Sequence, residues 1–386
     1  MEKKQVFDFD SPVERRATAS LKWDKYKNRD VIPLWVADMD FQAPPAVIKA
    51  LQQRAAYGVF GYTIVPQELN EVVVVMLKNL YGWEIESEWL VWLPGLVTGL
   101  NVVCRALGEE GDDVMTTVPV YPPFLAAPKH FRRNLIKVPL IEKNNRWQFD
   151  FDRLEQSITA NTRVFLLCNP HNPVGRVYTR NELETLAAIC KKHDIVICSD
   201  EIHCGLILDK DKPHIPTASL DPETAKRTIT LMAASKTFNL PGLGCAFAVI
   251  DEKNLRRKIK EAMAGIVPMV NALGYTASRV AFEDCSGWHE ALLDYLRGNR
   301  DTVQVAINRM PYLSMAPVEA TYLAWIDMRA AEIKNPTAFF EDAGVGLQNG
   351  IEFDGPGFVR LNFGCPRSLL EKALQRMAAA MEDRFK

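Results

Sequence analysis

Short apolar runs recur along the chain at intervals that leave room for one helix and its turns. They fall at residues 90–93, 113–117, 135–140, 163–168, 195–199, 227–232 and 245–250. Their apolar character is continuous rather than alternating, which predicts strands covered on both faces. Between or after them lie stretches of helical period, such as 181–193 and 254–264. Strands alternating with helices specify an α/β fold: a mostly parallel sheet of seven-stranded type with helices on both sides.

The two ends read differently. The first 45 residues lack helical periodicity and carry Ile32-Pro33-Leu34-Trp35-Val36-Ala37-Asp38-Met39-Asp40-Phe41, which reads as an ordered arm. Pro44-Pro45 opens a helix running to Ala56, and Pro66 opens another running to Leu80, with Gly82 just past its end. After Asn271, helical stretches at 272–282 and 288–310 lead into strand-like segments at 323–328 and 358–363, and a helix from Leu369 closes the chain. The expected organisation is an N-terminal arm (1–45) packing with the small domain, a large domain (46–285), and a smaller C-terminal α+β domain (286–386) hinged by the long helix. No repeat or low-complexity segment interrupts it.

Composition narrows the function. A chain of 386 residues with 48% hydrophobic content can bury a sizeable core. Its 46 basic and 48 acidic residues give no basic field for nucleic acid or an anionic membrane, so neither partner is expected. Met1-Glu2-Lys3-Lys4 starts no apolar stretch of signal-peptide length, and no run is long enough to span a bilayer. The expected location is the cytoplasm. Cys104, Cys168, Cys190, Cys198, Cys204, Cys245, Cys285 and Cys365 form no C-x-x-C pair, which fits free thiols in a reducing compartment. No metal site is expected, and His203 reads as a ring contact rather than a ligand.

In open α/β sheets the chemistry gathers at the carboxyl ends of the strands. Lys236 stands there, in Ala234-Ser235-Lys236-Thr237-Phe238-Asn239-Leu240-Pro241-Gly242-Leu243, between two apolar runs. An amine at the mouth of a low-dielectric interior has its charged form disfavoured and becomes available as a nucleophile. Four further loops follow strands. Pro94-Gly95-Leu96-Val97-Thr98-Gly99 opens a helix and can offer free backbone N–H groups and the Thr98 hydroxyl to a phosphate. Pro119-Val120-Tyr121-Pro122-Pro123-Phe124 can present the Tyr121 ring, although an aromatic there also serves packing. Asn169-Pro170-His171-Asn172-Pro173-Val174-Gly175 is a turn or a pair of fixed asparagines. Asp200-Glu201-Ile202-His203 puts a carboxylate at a strand end, where burial demands a cation or a shared proton.

Together these loops suit a planar ring bearing a phosphate, a phenolic oxygen and a basic nitrogen. In order and spacing, N-P-H-N-P-x-G, S-D-E-I-H, S-K-T-F-N-L-P-G-L and Val359-Arg360-Leu361-Asn362 resemble the fold-type I pyridoxal-phosphate enzymes, the aspartate aminotransferase superfamily. The arm motif 35–41, the motif 119–124, the S-K-T-F-N loop and Asn362-Phe363-Gly364-Cys365-Pro366-Arg367 resemble the MalY/PatB branch of cystathionine β-lyase-like C–S lyases.

The resemblance implies roles. Lys236 would carry pyridoxal 5'-phosphate covalently and remove the Cα proton, Asp200 would keep the ring nitrogen protonated, and Tyr121 would stack on the ring. Asn172 would meet the phenolic oxygen, His203 would touch the ring, and Val97, Thr98 and Ser235 would hold the phosphate. Arg360 would take the substrate carboxylate, with Asn172 and the backbone of Ala37 beside it. Tyr62 would reach a phosphate across the interface of a homodimer with shared active sites. Aminotransferases of this fold usually carry tyrosine where His203 stands, serine where Ala233 stands and arginine where Gly244 stands, so the phosphate must rely more on backbone and Tyr62. The expected reaction is β-elimination of L-cystathionine or a cysteine S-conjugate to pyruvate, ammonia and a thiol. An aminotransferase is the alternative, and a cofactor-binding regulatory protein with incidental catalysis is a further one.

Overall fold

The computed structural model describes residues 7–386; the first four residues, read above for a targeting signal, lie outside that range. Its central sheet contains β1 (Leu90–Leu93), β2 (Asp113–Val118), β3 (Asn134–Pro139), β4 (Thr162–Cys168), β5 (Val196–Asp200), β6 (Thr228–Met232) and β7 (Ala246–Val249). The spatial order is β1-β7-β6-β5-β4-β2-β3. Only β7 runs antiparallel to its neighbours; the other pairings are parallel. All seven expected strands are present, and the sheet is mostly parallel as the continuous apolar runs required.

Side chains along β4 show why those runs are unbroken. Val164 and Leu166 join one core cluster while Phe165 and Leu167 join another, because successive strand residues point to opposite faces and here both faces are covered. Full burial of each such side chain contributes about 1.5–3 kcal/mol, so one charge placed in β4 would destabilise the centre of the domain.

Helices α1 (Pro45–Ala56), α2 (Gln67–Tyr81), α3 (Leu96–Ala106), α4 (Arg180–Lys192), α5 (Ala272–Asp284), α6 (Ser286–Arg309) and α7 (Arg367–Arg384) cover the sheet or build the C-terminal part. Gly82 ends α2 in the left-handed region at φ 62°, where its N–H bonds back to Leu77 and Lys78. A reciprocal capping box between Thr179 and Glu182 starts α4.

A smaller antiparallel sheet, ordered β8-β10-β9, is formed by β8 (Leu323–Asp327), β9 (Gln348–Asn349) and β10 (Phe358–Asn362). The arm joins this part: Ile32 and Pro33 pair in parallel with Val345 and Gly346, and Leu34, Met39 and Phe41 share a core cluster with Leu292, Leu323 and Leu361.

Two local details differ from the apolar pattern. β5 includes Asp200 itself, because the ladder continues: Asn169 N–H donates to the Asp200 carbonyl at 2.9 Å and Glu201 N–H to the Leu231 carbonyl at 2.8 Å. A polar hairpin, Ile141–Lys143 with Arg146–Gln148, has no apolar signal of its own. It turns through Asn144 and Asn145, both at φ 55°, the asparagine-tolerant conformation that suits two-residue hairpins.

Candidate active site

Lys236 lies in the loop that leaves β6. Two backbone bonds close that loop, Phe238 N–H to the Ala234 carbonyl at 2.9 Å and Leu240 N–H to the Ser235 carbonyl at 2.8 Å. Asn239, at φ 56°, then turns its amide onto the arm. It accepts from Met39 N–H at 3.0 Å and donates to the carbonyls of Met39 at 2.9 Å and Phe41 at 2.8 Å. The arm is thereby latched to the lysine loop, and Lys236 Nζ donates to the Ala37 carbonyl at 2.6 Å. Burial, reinforced by the nearby Arg360 cation and opposed by Asp38 and Asp200, lowers the amine pKa to about 8. At neutral pH a usable fraction is uncharged.

Asp200 is buried at the end of β5, where its Oδ1 accepts from Ile202 N–H at 3.1 Å. No cation bonds to it among the described residues. Burial raises its pKa to about 7, against the lowering effects of the Ile202 bond and Lys236. A protonated ring nitrogen in the adjoining cavity would restore the carboxylate. Because the folded pKa lies above the unfolded value of 3.8, the cofactor-free protein retains a proton that the unfolded chain releases. Its stability should therefore fall as pH rises from about 4 to about 7, by up to about 4 kcal/mol. Asp200→Asn should flatten that slope in urea titrations of cofactor-free protein; parallel pH profiles for the two proteins would contradict it.

Arg360, on β10, is 1% exposed and has no carboxylate partner among the described residues. Neutral acceptors surround it: Asn172 Oδ1 at 2.9 Å, the Trp35 carbonyl at 3.0 Å, and Gln348 Oε1, directly across the strand pair. Its guanidinium lies over the Phe353 ring, 4.7 Å from the centroid, and burial lowers its pKa to about 10. Nε has no partner among the described residues. A buried cation without a counter-ion is costly, so the site is prepared for an anion.

A guanidinium only donates, so the Asn172 amide must turn its oxygen to Arg360, which leaves its NH2 group for a ligand. The Asn172 carbonyl accepts from Tyr121 N–H at 3.1 Å. His171 ties the same two loops: its Nε2 meets the Pro119 carbonyl at 2.8 Å and its Nδ1 meets the Tyr178 hydroxyl at 2.9 Å. Burial lowers the His171 pKa to about 4, so the ring is neutral; Nε2–H donates to the carbonyl and Tyr178 donates to Nδ1.

One cavity of about 340 Å³ gathers Lys236, Asp200, Asn172, Tyr121, His203, Ser235, Val97, Thr98 and Ala37. Gly95 precedes α3 without a side-chain cap, so the first amides of that helix are available to an anion at the cavity wall. His203 packs edge-on to Tyr322, 6.2 Å between centroids, and burial holds its pKa well below the ordinary histidine range. This donor set fits pyridoxal phosphate: free helix amides for the phosphate, the Asn172 NH2 for the phenolic oxygen, an unpaired Asp200 for the ring nitrogen and an amine for the aldehyde.

Arg360 reaches the site through Asn172. Tyr62 does not line its own chain's cavity and is 99% exposed. Ala233 and Gly244 also line the cavity and offer no side-chain donor there. Sequence reading missed three residues that shape the site. Tyr322 donates to the Ala37 carbonyl at 2.9 Å, Asn362 donates to the carbonyls of Val36 at 2.6 Å and Asp38 at 2.8 Å, and Gln348 meets Arg360. Asn362 lies inside a motif already noted, whereas Gln348 is found only through strand register. Among the described residues, no group of three or more potential metal-ligating side chains is assembled, and no helix is long and apolar enough to cross a membrane.

A seven-stranded, mostly parallel sheet with a lysine and an aspartate at its carboxyl edge, joined to a smaller sheet that supplies an arginine, defines the pyridoxal-phosphate-dependent transferase fold. The chain belongs to the aminotransferase class I and II family, which it matches over residues 29–377. It is 35% identical to the cystathionine β-lyase PatB of Bacillus subtilis, over 97% of this chain and 100% of that one. The crystal structure of OvoB superposes with a TM-score of 0.95 at 46% identity, covering 97% of this chain and 99% of that one. Cystalysin from Treponema denticola, whose crystal structure contains a pyridoxal 5'-phosphate cofactor, superposes with a TM-score of 0.94 at 32% identity, covering 98% of this chain and all of that one.

Proposed function

We propose that the protein is a pyridoxal-phosphate-dependent C–S β-lyase that cleaves L-cystathionine or a cysteine S-conjugate to pyruvate, ammonia and a thiol. The observation that carries this reading is the convergence of Lys236 and Asp200 on one cavity, with Arg360 bonded to its wall residue Asn172, in a chain that aligns over 97% of its length with a cystathionine β-lyase. When bound, the cofactor supplies an electron-accepting ring conjugated to the substrate nitrogen, which acidifies the Cα–H bond.

The chain's own residues do the rest. Arg360 fixes the substrate carboxylate, which fixes the direction of the Cα–H bond. Lys236, with an amine pKa near 8, takes that proton, and the electron pair moves so that the Cβ–S bond breaks and thiolate leaves. Asp200, once ionised against the ring nitrogen, keeps a proton there. Tyr121 covers the ring, and His203 packs beside it as a neutral imidazole.

The active unit is a homodimer, and the structure supplies a reason. Tyr57, Val59, Phe60, Tyr62 and Ile64 are all exposed within one loop, an apolar stretch that a second copy would cover. Tyr62 then reaches the partner's phosphate. Mixing Tyr62→Ala and Lys236→Ala subunits should restore activity toward that of one intact site per heterodimer; no recovery in verified heterodimers would remove the shared site. A small-molecule amino-acid substrate and a cytoplasmic location complete the reading, the latter supported by eight free thiols.

The deciding assay supplies L-cystathionine and follows pyruvate and free thiol together, with and without 2-oxoglutarate. Equal pyruvate and thiol without 2-oxoglutarate is the expected result. Glutamate formation that depends on 2-oxoglutarate would make the protein an aminotransferase instead.

A further inference from the structure

Behind the Asn172 loop, away from the active cavity, four cationic side chains meet four carboxylates. Arg176 is 1% exposed; its Nη2 donates to both oxygens of Glu182, at 2.7 and 2.8 Å, and its Nη1 lies 3.5 Å from Glu319 Oε1. Arg146 Nε donates to the same oxygen at 3.0 Å, and Lys212 Nζ lies 3.5 Å from it while bonding Asp209 at 2.7 Å. Arg300 takes the other oxygen of Asp209 at 2.6 Å; its second partner, Asp301, stands out in solvent, where its charge is screened. One oxygen of a buried glutamate therefore serves three cations.

Two donors remain unused. Arg176 Nε and Arg146 Nη2 are buried without a hydrogen-bond partner among the described residues, a condition that costs about 1–3 kcal/mol for each group. Both arginines, with Lys212 and Glu319, line a cavity of about 240 Å³ that also presents Asn144 and Asn145. We propose that this cavity is a binding site for a small oxyanion, a phosphate, sulfate or carboxylate, held by Arg146, Arg176 and Lys212. Orphaned N–H donors, three cations sharing one carboxylate oxygen and a space of suitable size coincide there, and a planar guanidinium is the side chain that matches an oxyanion best.

The site's position gives it a route to the chemistry. Its walls are the Arg146–Gln148 hairpin, the end of the Asn172 loop and segment 316–319. The Gly175 carbonyl accepts from Glu319 N–H at 2.8 Å and Ala320 N–H at 3.0 Å, and a Cβ on Gly175 would sit 2.9 Å from Val318 Cγ1. That segment runs on into Tyr322, which holds the Ala37 carbonyl. An anion would tie the end of the Asn172 loop, through Arg176, to the hairpin that carries Arg146 and to Lys212.

The test uses the cofactor-loaded protein, so that no free phosphate subsite competes. Calorimetric titration with inorganic phosphate, sulfate and acetate should show saturable binding of at least one. Arg146→Gln and Lys212→Gln change side chains that are about one-third exposed, and each should weaken binding at least about tenfold while the fold is kept. Arg360→Lys should leave it unchanged, which separates this cavity from the substrate-carboxylate subsite. Absence of saturable binding for all three anions would overturn the proposal. So would binding that is lost in Arg360→Lys and kept in Arg146→Gln.

Discussion

Lys236→Ala is expected to lower kcat for β-elimination by about four orders of magnitude or more, the largest effect of any single substitution in this chain. On the proposed mechanism two functions would disappear together: the covalent tether for the cofactor and the base that takes the Cα proton. The amine's neighbours explain why no other group replaces it. Tyr322 is engaged with the Ala37 carbonyl, and burial pushes its pKa far up; His203 is buried, and its pKa is pushed far down. Neither offers a base matched to neutral pH. The cofactor should wash out of the variant on dialysis, with loss of the visible absorbance of the protein-bound form. A small primary amine added to the medium should restore a fraction of the turnover, since the cavity left by the side chain opens beside the Ala37 carbonyl. Retained elimination without added amine would remove Lys236 from the mechanism.

Arg360→Lys should reduce kcat/KM by roughly 10²- to 10³-fold, chiefly through KM, while the cofactor stays bound. The guanidinium presents a fork at a fixed place, set by Asn172, the Trp35 carbonyl and Gln348. An ammonium keeps the charge but loses the paired donors, and its longer-range attraction cannot orient a carboxylate as well. Part of the effect should come indirectly, because Asn172 loses the partner that fixes its amide. A KM equal to that of the unsubstituted protein would show that the carboxylate binds elsewhere.

The order of elements and the identity of the chemical loops were legible from local pattern. Buried parallel strands must be apolar on both faces, which locates the loops at their carboxyl ends; the resemblance of the motifs in those loops to a known family is what singled out Lys236, Asp200, Asn172 and Tyr121 without coordinates. Strand ends were less legible. Asp200 is a strand residue because Asn169 and Glu201 continue the ladder past the last apolar position, and a polar side chain gives no sign of that.

What the chain could not disclose by itself is how its distant parts meet. Arg360 and Asn172 are separated by 188 positions and Lys236 and Ala37 by 199, and only folding makes each pair one hydrogen bond. Gln348 became visible when strand register placed it opposite Arg360. The cluster around Glu319 draws its charges from four separate segments, none unusual in composition. Local periodicity reports burial, which each residue carries in its own chemistry. Electrostatic environment depends on which charges and acceptors surround a group, and that is decided by tertiary packing.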